Sequence, residues 1–123
     1  MLIERVSINA SPLIVLFKSQ QAELLPQLFE EILVPDAVWS EVTASGQEDV
    51  ASRQLPTKTW ARKTEVGLIS PQVTAWDLGK GESAVISLAL SIPDCRVIID
   101  DRAARRCAQT QGIATLGTGA ILI

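Results

Sequence analysis

Histidine is absent from this 123-residue chain, and cysteine occurs only twice. Without an imidazole, Ser-His-Asp and Cys-His catalysis are excluded, and so is His-ligated zinc. Any reactive site must run on carboxylates, amides, hydroxyls, Lys or Arg. Cys95 and Cys107 lack the close spacing of a zinc knuckle or a redox pair. Reduced structural thiols are the expectation for an intracellular chain. Long apolar runs are missing too. Leu13 to Phe17 and Val97 to Ile99 are far too short to span a bilayer. No basic stretch followed by an apolar run stands at the amino end, so no signal peptide is expected. These absences point to a soluble, cytoplasmic domain with no membrane partner. A basic balance is also lacking: the net charge is −3. That argues against coating duplex nucleic acid, but leaves room for a small RNA site.

What is present suits one packed domain, residues 1–123. Apolar residues make up 47% of the chain and charged residues 20%, enough for a core and unlike a disordered segment. Arg5 to Ile8 reads as a short strand, broken by Asn9-Ala10-Ser11-Pro12. Ser11 is the expected N-cap and Pro12 the first helical residue of a helix over Leu13 to Ser19. Ala22 to Phe29 reads as a second helix, with Leu24, Leu25, Leu28 and Phe29 on one side. Ile32-Leu33-Val34 is a short continuous apolar run, as in a parallel strand covered on both faces. Pro35 and Asp36 open a helix through Val42 that ends near Gly46. Gln47 to Lys58 is polar and helical in part, and Thr59 to Val66 is a candidate strand.

After the break at Gly79-Lys80-Gly81, Glu82 to Leu90 reads as a helix. Val97 to Ile99 is the clearest buried strand and stops at Asp100-Asp101. Arg102 to Gln111 is a helix with Arg102, Arg105 and Arg106 on its polar side. Ile113 to Leu116 is a last strand, and Gly117-Thr118-Gly119 turns into an apolar helix start. The chain stops at Ile123 within an apolar run, so a further carboxyl-terminal helix is expected. Strands alternate with helices, which defines an α/β class with a mainly parallel sheet. Ligands in such sheets bind outside the carboxyl ends of the strands. That rule selects the turn after the first strand and the turn after Ile99.

Asp100 and Asp101 are adjacent acids that repel each other unless a cation or an Arg neutralises them. Mg2+ would accept such oxygen ligands while keeping its waters. The plainer alternative is that Asp101 caps the next helix and Asp100 is solvated. Glu82 opens a helix, where the dipole alone favours a carboxylate by roughly 0.3–1 kcal/mol. Glu41, alone, is an ordinary exposed helix acid, and Asn9 could simply make its turn. Lys80-Gly81-Glu82-Ser83 lacks the Walker spacing of a phosphate loop. Trp39, Trp60 and Trp76 could stack on bases, though packing is the commoner role. No single residue decides; the order of polar groups along the chain carries more.

That order resembles a known family. Val6 to Ile14 is similar to the opening motif of PIN domains, a strand ending in an acid or amide followed by a small residue and Ser or Thr. Val34 to Val42, with Glu41, resembles the second motif. Gly81 to Ala89, with Glu82, resembles the third, and Ile98 to Arg105 the fourth. Gly112 to Leu122 is similar to the end of the DUF3368 branch. The resemblance implies a three-layer α/β/α sandwich with a mainly parallel sheet. It implies a Mg2+- or Mn2+-dependent ribonuclease, commonly a homodimer and commonly the toxin of a toxin–antitoxin pair. Carried over, the metal and catalytic residues would be Asn9, Glu41, Glu82 and Asp101, with Asp100 beside them. Ser11, Arg102 and Arg105 would face a single-stranded RNA substrate. Asn9 departs from the Asp of most active members: an amide can ligate a metal but brings no charge and no base. The alternative is therefore a catalytically weak or inactive binding module for nucleic acid or protein on the same fold. A receiver-like phosphoacceptor fits less well, because its acid pair should follow the first strand.

Overall fold

The computed structural model describes residues 3–44 and 49–122. Five parallel strands form one sheet in the order β3-β2-β1-β4-β5. They are β1 (Ile3–Ile8), β2 (Phe29–Pro35), β3 (Ala61–Thr64), β4 (Cys95–Ile98) and β5 (Thr115–Leu116). The helices are α1 (Ala10–Lys18), α2 (Leu24–Leu28), α3 (Asp36–Val42), α4 (Val50–Gln54), α5 (Pro71–Thr74), α6 (Lys80–Leu90) and α7 (Arg102–Thr110). The chain order runs outward from β1 to β3, then returns to β4 and β5 on the other side. Right-handed crossovers put the helices of those two halves on opposite faces of the sheet. This is the expected three-layer α/β/α sandwich.

Burial explains the strand sequences. Val6 and Ile8 are fully buried on one face of β1. Ser7 points to the other face, where its hydroxyl donates to the Val85 carbonyl of α6 at 3.0 Å. A buried polar residue in the central strand is thereby satisfied, as burial demands. Val97, Ile98 and Ile99 are all fully buried, which is why they read as an unbroken apolar run. Nearer the amino ends of the strands, Glu31 on β2 accepts from Arg5 of β1 at 2.8 Å and from Arg62 of β3 at 2.6 Å. The Arg5 guanidinium holds the Glu31 carboxyl below its ordinary range. Cys95 and Cys107 are buried free thiols, and burial pushes the Cys95 thiol up to about 11. No helix among the described residues is long and apolar enough to cross a membrane.

Several boundaries differ from the sequence reading. The second helix is only Leu24–Leu28, and Phe29 begins β2, paired with Ile3. Leu28 is 41% exposed while Phe29 is 2% exposed, so the side chains already alternate as in a strand. Pairing with β1 has overridden the helical spacing of the leucines. The first helix starts at Ala10 with Asn9 as its cap, not at Pro12 with Ser11. Helix α3 ends at Val42, with Thr43 as its C-cap, whereas Gly46 lies outside the described residues. The polar segment does contain a helix, α4, followed by a 3-10 turn at Leu55–Thr57. Helix α5 was not anticipated. The expected final helix start is a 3-10 turn at Thr118–Ala120.

Two helix ends show the same closure with different residues. Beyond α7, Gly112 has φ +80°, its N–H donates to Gln109 and the Ile113 N–H to Ala108. That is a Schellman end with glycine in the left-handed position. Beyond α1, Gln20 takes φ 62°, with matching bonds from Gln20 to Phe17 and from Gln21 to Leu16. A side chain there is strained by roughly 1 kcal/mol. Gly112→Ala should therefore lower stability by about 1 kcal/mol and Gln20→Gly should raise it by a few tenths to 1 kcal/mol. Urea unfolding midpoints that moved in the same direction for both would refute the shared geometry.

Candidate functional site

The strand order reverses between β1 and β4, so the crevice forms at their carboxyl ends. The ladder carries on into this crevice, because the Asn9 N–H donates to the Ile98 carbonyl at 3.0 Å. Asn9 is 5% exposed and occupies the N-cap position of α1. A side chain there ordinarily bonds the first turn of its own helix. That of Asn9 makes no cap bond; its Nδ2 donates instead toward Glu82 Oε2 at 3.5 Å. The capping residue is turned away from its helix and into the crevice.

Glu82 stands in the first turn of α6, whose N-cap is Gly79. Its carboxylate folds back over that glycine: a Cβ built on Gly79 would run into Glu82 Oε1 and lie 3.3 Å from Cδ. Gly81 is the second opening. A Cβ there would lie 3.1 Å from Glu41 Oε1 and 3.3 Å from Asn9 Oδ1. Glu41 reaches this point from α3, which contacts both α1 and α6 and so bridges the two helical layers. An amide and two carboxylates, from β1, α3 and α6, thus gather over two glycines. The glycines are what let the oxygens come so close to the backbone.

The acids after β4 are held differently. Asp100 Oδ1 accepts from the Thr118 N–H at 2.8 Å, and Oδ2 accepts from the Thr118 hydroxyl in a short bond. Asp100 is exposed, as the plainer alternative expected, and it also ties the end of β4 to the turn after β5. Gly117 makes room for this, since a Cβ there would lie 2.7 Å from Arg105 Nη1 and 3.2 Å from Asp100 Oδ1. Arg105 itself donates from Nη1 to the Ile99 carbonyl at 3.4 Å. Asp101 caps α7, accepting from the Ala104 N–H through Oδ2 at 2.9 Å. Its Oδ1 has no hydrogen-bond partner among the described residues. Arg102 and Ser11 are both exposed, in the first turns of α7 and α1.

The five candidate residues therefore form two groups at the same end of the sheet. Asn9 and Glu41 meet over Gly81, and Asn9 bonds Glu82, whose carboxylate folds over Gly79, while Asp100 is tied to Thr118 and Asp101 to α7. Among the described residues no three acids or thiols stand close enough together to hold a metal ion unaided. The donor chemistry still suits a hard divalent cation, which takes carboxylate and amide oxygens with retained waters. Thr118, Gly79 and Gly81 were not singled out as site residues from the sequence. The Gly-x-Gly spacing just before Glu82 was the available signal.

The aromatic residues also separate. Phe17 and Trp60 stack with centroids 6.2 Å apart, and the Trp60 indole donates to Glu23 at 2.7 Å. Trp39 is half-buried against the core. Trp76 is 36% exposed, and its indole N–H meets no acceptor among the described residues.

The family model for DUF3368, described as a PIN domain, matches residues 5–123. With nearly the whole chain covered, the protein belongs to the PIN-domain family. Within it, the match places the chain in the DUF3368 branch. No curated protein matches the chain.

The Asp100–Thr118 contact makes a direct prediction. Thr118→Val keeps the shape and the backbone bond but removes the hydroxyl donor. Stability should fall by about 1 kcal/mol, less than the roughly 1.5–3 kcal/mol of a hydrogen bond to a charged group, because Asp100 is exposed and screened. An unchanged unfolding midpoint would show that the bond contributes nothing in solution.

Proposed function

We propose that this protein is a divalent-metal-dependent endoribonuclease of the PIN type, using Mg2+ or Mn2+. The observation that supports this best is the gathering of Asn9 and Glu41 over Gly81, with Glu82 bonded to Asn9 and folded over Gly79, at the switch point of a parallel sheet. The membership of a nuclease-type family agrees with it. Asn9 Oδ1, Glu41 and Glu82 are the ligands in this reading, with Asp101 adding its unpartnered Oδ1. Asp100 positions the β4 end through Thr118, and its oxygens keep lone pairs with which it can join the ion. The bound ion would lower the pKa of a water and offset phosphate charge during in-line attack.

The chain's own groups do the rest. The Asn9 amide is neutral, so the proton of an attacking water has to pass to Glu41, Glu82 or Asp101. The amide N–H toward Glu82 holds that carboxylate in the crevice. Arg102, exposed at the start of α7, can meet the RNA backbone, as can Ser11; Arg105 lies beside Asp100 and steadies its loop. Single-stranded RNA is the substrate in this reading, since a net charge of −3 is ill suited to duplex coating. A role as the toxin of a toxin–antitoxin pair, with a protein antitoxin, a homodimeric state and a cytoplasmic setting, completes the proposal.

A second reading keeps the site but not the turnover. It is favoured by the amide at Asn9 and by the separation of the acids into two groups. In that case the domain binds nucleic acid or a protein without cleaving.

The two readings diverge in cleavage of a single-stranded RNA with Mn2+. The nuclease reading expects wild-type cleavage, reduced at least 10-fold in Glu82→Gln and in Asp101→Asn. Binding of RNA with no cleavage by the wild type would leave the binding module standing. Equal rates in wild type and Asp101→Asn would remove Asp101 from the site.

Gly81→Ala separates site from fold. Alanine is up to about 1 kcal/mol better than glycine within a helix, so global stability should hold or rise. The added methyl displaces Glu41 and Asn9, so Mn2+ affinity by calorimetry should fall several-fold. Unchanged Mn2+ binding would show that the three side chains do not share an ion.

A further inference from the structure

We propose that Trp76 is a stacking platform for an unpaired base of single-stranded RNA, set beside the Asn9–Glu41–Glu82 crevice. This rests on the nucleic-acid reading above and adds a positioning residue to it. Of the three tryptophans, Trp39 is half-buried against the core, and Trp60 is used by Phe17 and Glu23. Trp76 keeps 36% of its surface exposed, and its indole N–H has no protein acceptor among the described residues.

Its place relative to the site is bounded by the chain. Trp76 is three residues before Gly79, so at most about 11 Å separates their Cα atoms. Gly79 lies directly under the Glu82 carboxylate. The segment that carries Trp76 is held firmly. Val73 is fully buried, the Ser70 N–H donates to the Ser87 hydroxyl of α6 at 3.2 Å, and the backbone N–H of Trp76 donates to the Val73 carbonyl at 3.0 Å. Asp77 closes the turn in the left-handed region at φ 53°, with its N–H on the Thr74 carbonyl. A partly exposed indole on a pinned turn loses little further freedom when a base stacks on it. Just beyond it, Lys80 is exposed and lines a cavity of about 210 Å3 with Asp36, Ala37 and Ser40, between the starts of α3 and α6. Trp76 and Lys80 flank Gly79 in the chain, and an aromatic ring with a cation four residues on can take a base and a neighbouring phosphate. Stacking on such a face is tolerant of base identity.

The test is fluorescence anisotropy of a labelled single-stranded RNA 12-mer, and of the same oligomer carrying abasic sites, with Ca2+ present. Trp76→Ala should bind the intact RNA about 5- to 150-fold more weakly, and Trp76→Phe should recover much of the loss. The abasic oligomer should weaken binding to the wild type but hardly further weaken binding to Trp76→Ala, which a merely structural role would not produce. Circular dichroism of the variants checks that the fold is kept. Equal binding by wild type and Trp76→Ala overturns the stacking proposal and leaves the nucleic-acid reading in place. No RNA binding by the wild type overturns both. Leu68, 99% exposed on the same connection, makes a protein contact the competing use of this surface. Loss of self-association in Trp76→Ala, with RNA binding unchanged, would assign Trp76 to a protein interface and overturn the proposal.

Discussion

β1 pairs with β2 on one side and β4 on the other, and every other feature of the site follows from that double pairing. A parallel strand in this position must be covered on both faces, so Val6 and Ile8 are buried on one and Ser7 is bonded to α6 on the other. The reversal of strand order between β1 and β4 places the crevice at their carboxyl ends. Asn9 is carried into it because its N–H continues the ladder to Ile98. Its side chain then faces α6, not the α1 backbone.

Glycine governs how the oxygens gather. Carboxylates repel one another and prefer water, so they approach only where backbone N–H groups, a helix start or a cation offset the repulsion. Gly79 and Gly81 allow Glu82 to fold over the first turn of α6 and let Asn9 and Glu41 press against it. The dipole of α6 favours the negative charge at that end. On the β4 side the same problem is solved with hydrogen bonds. Thr118 takes both oxygens of Asp100, and the α7 backbone takes one of Asp101. One oxygen of Asp101 carries no hydrogen bond among the described residues.

Much of this was legible in the residues. Val97 to Ile99 read as a buried strand because both of its faces are apolar. The end of α7 was visible in Gln111-Gly112, since only glycine takes that conformation cheaply. Asn9, Glu41, Glu82, Asp100 and Asp101 could be named as candidates, and the first three do meet. The errors arose where local signals pointed one way and pairing the other. Phe29 follows leucines at helical spacing, yet it pairs with Ile3. Ser11 is a good cap by type, yet the chain leaves the sheet two residues sooner, at Asn9. Helix α5 has four residues and no periodicity long enough to read.

The sequence by itself determined the class of the fold, the absence of imidazole chemistry and the set of oxygen donors. Those are properties of residue type and of short-range period. Only the tertiary structure decided which donors share a space. The grouping of Asn9 with Glu41 and Glu82, and the capture of Asp100 by Thr118, join residues far apart in the chain. Such contacts depend on strand order and helix placement, which no local pattern encodes. The same holds for the tryptophans: three look alike in sequence, and burial alone tells the exposed Trp76 from the two that pack.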